Sequence, residues 1–323
     1  MIKICGTGSA LPEKRVTNDD LAQIMDTSDE WISSRTGIRA RHLAVEETTT
    51  GLSVAAARRA LAEAGIQPEE LDLIIAATLS ADHVLPTLAC EVQAALGAAH
   101  AVAFDLHAAC SGFLFALNTA AVYLRGGVYK NALIIGAETL SKMLDWTDRG
   151  TCVLFGDGAG AAVVRELPDE TAGGFQTFVQ YSDGARGDVL SCGGRPLVNP
   201  YTAHEPEHLY VEMDGQAVYR FAVGTVPQVI TEAVEQAGLT LSDIDHFVLH
   251  QANSRIIQSV AKRLGQPVDK FPMNLQECGN ISAASIPILL DSLNKNGMIR
   301  KKEHIVLAGF GAGLTWGAAV IQW

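Results

Sequence analysis

Three side chains stand where the pattern of the chain could put them to chemical use: Cys110, His250 and Asn280. Cys110 follows the β-like run Ala101-Val102-Ala103-Phe104-Asp105 and opens the stretch from Ser111 to Leu124, which ends at Gly126-Gly127. With Phe113, Leu114, Phe115, Leu117, Ala120 and Val122 spread around it, that stretch reads as a buried helix. The N-terminus of such a helix aims free N–H groups and the positive end of its dipole at the sulfur, which favours a thiolate nucleophile. An inert core cysteine is the competing reading. His250 ends the predicted strand His246-Phe247-Val248-Leu249, where a side chain can face a cleft, and Asn280 precedes a helix rich in small residues. Taken singly, a satisfied core histidine and an N-capping asparagine explain them as well. It is their combination with Cys110 that points to nucleophilic catalysis.

The elements that must position these residues alternate helical periodicity with short β-branched runs, the signature of an α/β fold. Predicted strands are Leu73–Ala77, Ala101–Asp105, Ala132–Gly136, His246–His250 and His304–Ala308, after a first one in Met1–Gly6. At 323 residues the chain exceeds the usual size of one core, so two lobes are expected. The composition, 48% hydrophobic and 19% charged, excludes disorder and coiled coil; a net charge of −12 without a basic stripe argues against a nucleic-acid binder. No apolar run is long enough for a membrane span. The six cysteines are scattered singly, which predicts a reducing, cytoplasmic setting.

The chain also echoes itself. Leu61-Ala62-Glu63-Ala64-Gly65-Ile66 leads through a polar turn to Leu71-Asp72 and a strand, as Val234-Glu235-Gln236-Ala237-Gly238-Leu239 leads to Ile244-Asp245 and another. Val153–Gly160 is echoed by Val306–Gly313, each followed by an Ala-Ala-Val strand. A duplicated unit is expected, residues 1–170 and 171–323, with both glycine-rich segments as central hairpins. Two further motifs are set aside. His204-Glu205-Pro206-Glu207-His208 fits a zinc-binding spacing, but Pro206 breaks the helical turn that would bring both histidines to one face. Gly6-Thr7-Gly8 lacks the third glycine and the acidic partner of a dinucleotide site.

Three blocks, Phe104-Asp105-Leu106-His107-Ala108-Ala109-Cys110-Ser111-Gly112-Phe113, Leu249-His250-Gln251-Ala252-Asn253 and Gly279-Asn280-Ile281-Ser282-Ala283-Ala284-Ser285, resemble the active-site blocks of β-ketoacyl-(acyl-carrier-protein) synthase III, the initiating condensing enzyme of bacterial fatty-acid synthesis. Asp26–Ile32 with Arg35–Ile38, Asp148–Thr151 and Gly309–Gly317 resemble that family too, in order along the full length. The resemblance implies a thiolase-like fold of two duplicated halves in α-β-α-β-α layers, and a homodimer. It implies Cys110 as the nucleophile that takes an acyl group from acyl-CoA, with loss of CO₂ from malonyl-acyl carrier protein promoted by His250 and Asn280 as neutral donors. Backbone N–H groups of Cys110 and Ala312 would hold the oxyanion; the family often has glycine where Ala312 stands, a minor departure for a backbone donor.

By the same resemblance, Trp31 and Arg149 sandwich the CoA adenine, and Arg35 and Asn253 touch CoA or its pantetheine arm. Arg220, Arg255, Lys262 and Arg263 match the face that receives the acidic carrier protein, and Leu85 matches a residue that reaches across the dimer to the acyl pocket. His107 lies outside the triad and is expected in a supporting or core position. No cofactor is implied, acyl-CoA being a substrate. A polyketide-priming or acyl-transferring relative, and a catalytically silent partner subunit of the same fold, are the alternatives; intact Cys110, His250 and Asn280 weigh against the silent one.

Overall fold

The computed structural model describes residues 1–168, 173–204 and 209–323. The expected boundary between residues 170 and 171 lies outside the described residues, as do Glu205, Pro206, Glu207 and His208 of the zinc-like motif.

One sheet has five strands, β1 (Ile2–Ala10), β2 (Leu73–Ala77), β3 (Val102–Leu106), β4 (Asn131–Thr139) and β5 (Asp157–Glu166), in the order β1-β5-β4-β2-β3. A second has four, β6 (Gly174–Ser182), β7 (His246–Leu249), β8 (His304–Gly311) and β9 (Thr315–Gln322), in the order β7-β8-β9-β6, and the remaining sheets among the described residues are two-stranded ribbons. In the first sheet β4, β2 and β3 are parallel while β5 is antiparallel to both β4 and β1. The second repeats this sense: β7 parallel to β8, β9 antiparallel to β8 and β6. The two sheets are thus copies of one unit, with β3 as the strand that has no counterpart.

Helices fill three layers around them. α1 (Asp29–Thr36) flanks the site; α2 (Thr49–Ala64) and α3 (Leu88–Leu96) cover the outer face of the first sheet, packing on Ile74, Ala76, Leu133 and Ile135. α4 (Gly112–Arg125) packs between the sheets, against Ile75 and Ile134 on one side and Val248 and Leu307 on the other. α5 (Gly215–Gln236) and α6 (Ser254–Leu264) cover the outer face of the second sheet, and α7 (Ser285–Lys295) joins α4 in the middle layer. Because helices cover both faces, β2 is a continuous apolar run rather than an alternating one. α4 is buried as expected through Leu124, except that Val122 and Tyr123 reach the surface.

The repeated helix ends hold. α2 stops at Gly65 (φ +67°) and α5 runs out at Gly238 (φ +72°), left-handed positions that glycine fills without strain. Each leads through a 3₁₀ turn closed by a capping box, Gln67 with Glu70 and Thr240 with Asp243, into β2 and β7. The glycine-rich echo is corrected: Val306–Gly313 forms β8 and a tight turn into β9, whereas Val153–Gly160 passes from a 3₁₀ turn into β5. In the first half the chain between β4 and β5 makes a long excursion that walls the site. Gly6 and Gly8 bring β1 against α2, where a Cβ would collide with the Ala60 and Ala56 carbonyls. Among the described residues, no helix is long and apolar enough to cross a membrane.

Candidate active site

Cys110 sits where β3 turns into α4, on the 3₁₀ turn Ala109–Ser111. Ala109 takes φ +45°, unusual for a residue with a Cβ, and that kink presents the sulfur from the head of the helix. The turn is fastened to the β8–β9 turn: Ser111 Oγ donates to Thr315 O at 3.0 Å, and the Thr315 hydroxyl lies 3.2 Å from Ala108 O and 3.1 Å from Ala312 O. Gly311 makes this approach possible, since a Cβ there would stand 2.7 Å from Cys110 N.

His250 follows β7 directly, its N–H donating to Ala308 O at 2.8 Å. Its ring is buried edge-on to Phe310, centroids 5.4 Å apart, and its Nδ1 has no hydrogen-bond partner among the described residues. Burial pushes its pKa down to about 3, so the imidazole is neutral at working pH. Asn280 is pinned through its backbone to the chain before β5, accepting from Gly156 N and donating to Leu154 O, both at 2.9 Å. Its Oδ1 accepts from Ser282 N at 2.9 Å, which turns the amide Nδ2 outward.

Cys110, His250 and Asn280 meet at one cavity of about 820 Å³, with Trp31, Arg35, Arg220, Asn253 and Arg255 also on its wall. A second cavity of about 300 Å³ opens on the other side of Cys110, lined mainly by apolar side chains, among them Leu79, Leu140, Met143, Phe155, Leu190 and Val211, with Ala312. The sulfur therefore stands at the junction between a wide, cation-rimmed chamber and a small greasy one. The sequence did not mark the second chamber, whose walls come from many separate stretches of chain in both halves.

Burial pushes the Cys110 thiol up to about 12, with the charge of Glu138 adding to the rise. Desolvation thus opposes the helix N-terminus, which favours the anion. His107 is exposed and lines the apolar cavity with Cys110, so of the two positions expected for it the core one is ruled out. Leu85 is 81% exposed and lines a surface hollow beside β3 with Asp105, Leu106 and His107.

Trp31 is flanked by both arginines, the Arg35 guanidinium 4.8 Å and the Arg149 guanidinium 5.2 Å from its ring centroid. Arg149 is held there by Asp26, through O and Oδ2. The helix cap is Ser28, whose Oγ accepts from Trp31 N at 3.1 Å, while Thr27 Oγ1 is buried without a partner among the described residues. Asn253 caps α6 and donates to Arg35 O at 3.2 Å; Arg255 donates to Ser34 O at 2.6 Å. α1 and α6 are thus tied together at the chamber wall. Of the four cations expected on one face, Arg220 and Arg255 line the large cavity, and Lys262 is exposed two turns along α6 from Arg255. Arg263 is the exception, turned into a groove with Glu232 and Glu235 of α5. One residue further around a helix is a rotation of about 100°, enough to leave the face.

A family model described as 3-Oxoacyl-[acyl-carrier-protein (ACP)] synthase III matches residues 104–184, and its C-terminal companion matches residues 234–323. A beta-ketoacyl-[acyl-carrier-protein] synthase III of Clostridium acetobutylicum is 49% identical over 323 residues, covering 100% of this chain and 98% of its own. The chain belongs to the 3-oxoacyl-[acyl-carrier-protein] synthase III family. It is accordingly a condensing, acyl-transferring enzyme of the thiolase fold. The crystal structure of the Aquifex aeolicus synthase III superposes with a TM-score of 0.93 at 44% identity, covering 100% of both chains. A priming β-ketosynthase from the R1128 polyketide pathway superposes with a TM-score of 0.92 at 36% identity, covering 100% of this chain and 96% of its own.

Proposed function

We propose that the protein joins a short acyl group from acyl-CoA to malonyl-acyl carrier protein, with loss of CO₂, to give β-ketoacyl-acyl carrier protein and begin fatty-acid synthesis. One observation carries this reading: Cys110 stands between a chamber wide enough for a pantetheine arm and an apolar chamber sized for a short acyl chain. Cys110 attacks the thioester and its backbone N–H, with that of Ala312, holds the oxyanion as CoA leaves. The acyl chain then lies in the apolar chamber while the carrier arm takes the place of CoA. His250 and Asn280 donate to the enolate oxygen as CO₂ departs, a task suited to a neutral imidazole and an amide whose Nδ2 faces outward. The carbanion attacks the acyl group and releases Cys110.

Around this core, Trp31 and Arg149 hold the adenine, and Arg35 and Asn253 the rest of CoA. Arg220, Arg255 and Lys262 receive the acidic carrier protein; Arg263 stands outside that face. These steps use only side chains and backbone donors, so the reading needs no metal or organic cofactor. The half containing Cys110, residues 1–170, and the half containing His250 and Asn280, residues 171–323, meet at the site. β3 has a free edge with Val102 half exposed, and Val84 and Leu85 stand bare beside it. An open edge of this kind is a template for another strand, and a second copy of the chain is the partner that fits it. The six free cysteines support a reducing, cytoplasmic setting for this reaction.

The test is direct. Acetyl-CoA should add one acetyl group to the Cys110 peptide by mass spectrometry, and malonyl-acyl carrier protein should then remove it as a β-ketoacyl product. Label on Cys152, Cys192 or Cys278 instead, or full turnover in Cys110→Ala, overturns the reading. The likeness to the polyketide-priming enzyme favours a second one, in which the same chemistry primes a specialised pathway; a panel of acyl-CoA primers compared by kcat/KM separates the two.

A further inference from the structure

Arg41 is a fully buried cation, on the short strand Ala40–His42 that pairs with Arg15–Thr17. The bonds it makes go to neutral oxygens: Nη1 donates to Asn18 Oδ1 at 2.8 Å and to Val16 O at 3.3 Å, and Nη2 to Val153 O at 2.6 Å. Its Nε has no hydrogen-bond partner among the described residues. A guanidinium taken out of water and met by uncharged acceptors costs stability, where an apolar side chain of similar length would not. Its planar fork has one use that an apolar chain lacks: it reaches two segments at once. Arg41 lines neither chamber, so that use is not contact with a substrate.

On one side of the fork is Asn18, itself fully buried, whose Nδ2 donates to Asp29 Oδ1 and to Ile38 O, both at 2.8 Å. The guanidinium is thereby anchored to the start of α1. On the other side is the single 3₁₀ turn Cys152–Leu154, too short to satisfy its own carbonyls. Val153, Leu154 and Phe155 form part of the large chamber's wall, and Phe155 also lines the small one. The same stretch carries Asn280. Both backbone polar groups of Asn280 are spent on it, N donating to Leu154 O and O accepting from Gly156 N, so that the two bonds bracket Phe155.

Two glycines bring these pieces against the arginine stem. A Cβ on Gly156 would stand 3.2 Å from Arg41 Cβ and would collide with Cys278 O; one on Gly279 would stand 3.3 Å from Arg41 Cβ and 3.0 Å from Leu154 O. The neighbouring backbone closes the packing, Arg39 N donating to Gln276 O at 2.8 Å. Arg41 therefore has its stem beside the glycine that precedes Asn280 and the glycine bonded to it, and its head on Val153. We infer that Arg41 is the positioning residue of Asn280, holding in place the stretch 153–156 from which Asn280 hangs.

This arrangement separates the two half-reactions. Cys110 is fastened instead to the β8–β9 turn, through Ser111 and Thr315, and the backbone of His250 to Ala308. Releasing the fork of Arg41 displaces the amide aimed at the enolate and leaves the nucleophile where it is. The Asn280 Oδ1 bond to Ser282 N orients the amide within its residue; Arg41 sets where the residue stands.

This inference rests on the proposed role of Asn280 in decarboxylation, and the experiment tells the two apart. Release of CO₂ from malonyl-acyl carrier protein and single-turnover acetylation of Cys110 are measured in the natural enzyme, Arg41→Met, Asn280→Ala and the double variant, with circular dichroism to check folding. Arg41→Met keeps an unbranched stem and removes the fork. It should lower CO₂ release about 10²-fold, the scale of a reacting group displaced by about 1 Å, with acetylation and the KM for malonyl-acyl carrier protein within a few-fold of natural. In the Asn280→Ala background the same substitution should cost almost nothing further, because no amide is left to displace. Arg41→Lys, which keeps the charge but cannot fork between Asn18 and Val153, should fall between the natural enzyme and Arg41→Met. CO₂ release within a few-fold of natural in Arg41→Met overturns the inference. The same fold-loss with and without Asn280, or an equal fall of both half-reactions, makes Arg41 a support of the fold alone and overturns it as well. If Arg41→Met does not fold, Arg41→Lys carries the comparison, and failure of both to fold also overturns the inference. A natural rate of CO₂ release in Asn280→Ala alone overturns the underlying reading of Asn280, and the inference with it.

Discussion

At the residue scale, the site is built from groups kept neutral by burial. A cationic imidazole would hold malonate's carboxylate by charge and slow its departure; a neutral one donates a hydrogen bond and lets CO₂ go. His250→Ala and Asn280→Ala should each lower decarboxylation of malonyl-acyl carrier protein by about 10²–10³, the usual cost of a lost oxyanion donor. Acylation of Cys110 should largely survive in both, because the backbone donors and the head of α4 remain. Quenched-flow measurement of the two half-reactions decides it, and an equal fall would make His250 the base for the thiol. The triad was legible because each member sits at the end of a predictable element. The charge state of Cys110 was not, because the dipole of a helix can be seen in a sequence and the desolvation of one sulfur cannot.

At the element scale, the β8–β9 turn does as much as α4 to place the nucleophile. Gly311 lets β8 run backbone against backbone past Cys110, and Thr315 fastens the turn to Ala108 and Ala312. Gly311→Ala should therefore press a methyl on the Cys110 N–H, costing about 1–3 kcal/mol of stability by overpacking. The accompanying shift of the sulfur should slow acylation about 10²-fold, as small displacements of reacting groups do. Thermal unfolding and the rate of Cys110 acetylation check the two effects, and a variant with natural values for both would show that the turn can yield. The strands that were read from their apolar runs start within a residue or two of where they were expected, Leu73–Ala77 above all because it is buried along its whole length, whereas β6, partly exposed, was not read. Whether two glycine-rich segments were equivalent was not readable, because that depends on which strand each joins. Arg263 failed for a related reason: a helical wheel shows which side faces out, not which neighbouring helix it meets.

At the scale of the whole molecule, β3 is the strand that the duplication leaves unmatched, and it forms one edge of the five-stranded sheet. Joining two copies there would give one continuous sheet and cover Val84, Leu85 and Val102. Val102→Glu with Leu85→Glu should place like charges across the joint and shift the mass seen by light scattering from dimer to monomer at micromolar concentration. If Leu85 also closes the partner's apolar chamber, longer primers should gain relative to acetyl-CoA in Leu85→Ala while that variant stays dimeric. A double variant of unchanged mass would put the joint elsewhere.

The large chamber has one thiol on its wall, that of Cys110, so in the proposed reaction both substrates share that wall and spent CoA has to back out before a carrier arm can come in. Beside it Arg149 rests 5.2 Å from the Trp31 ring centroid, with no room for a ring between them. If the adenine of CoA is to lie between the two, as proposed above, each arriving CoA would first have to part this cation from the indole, and that separation would take a share of its binding free energy.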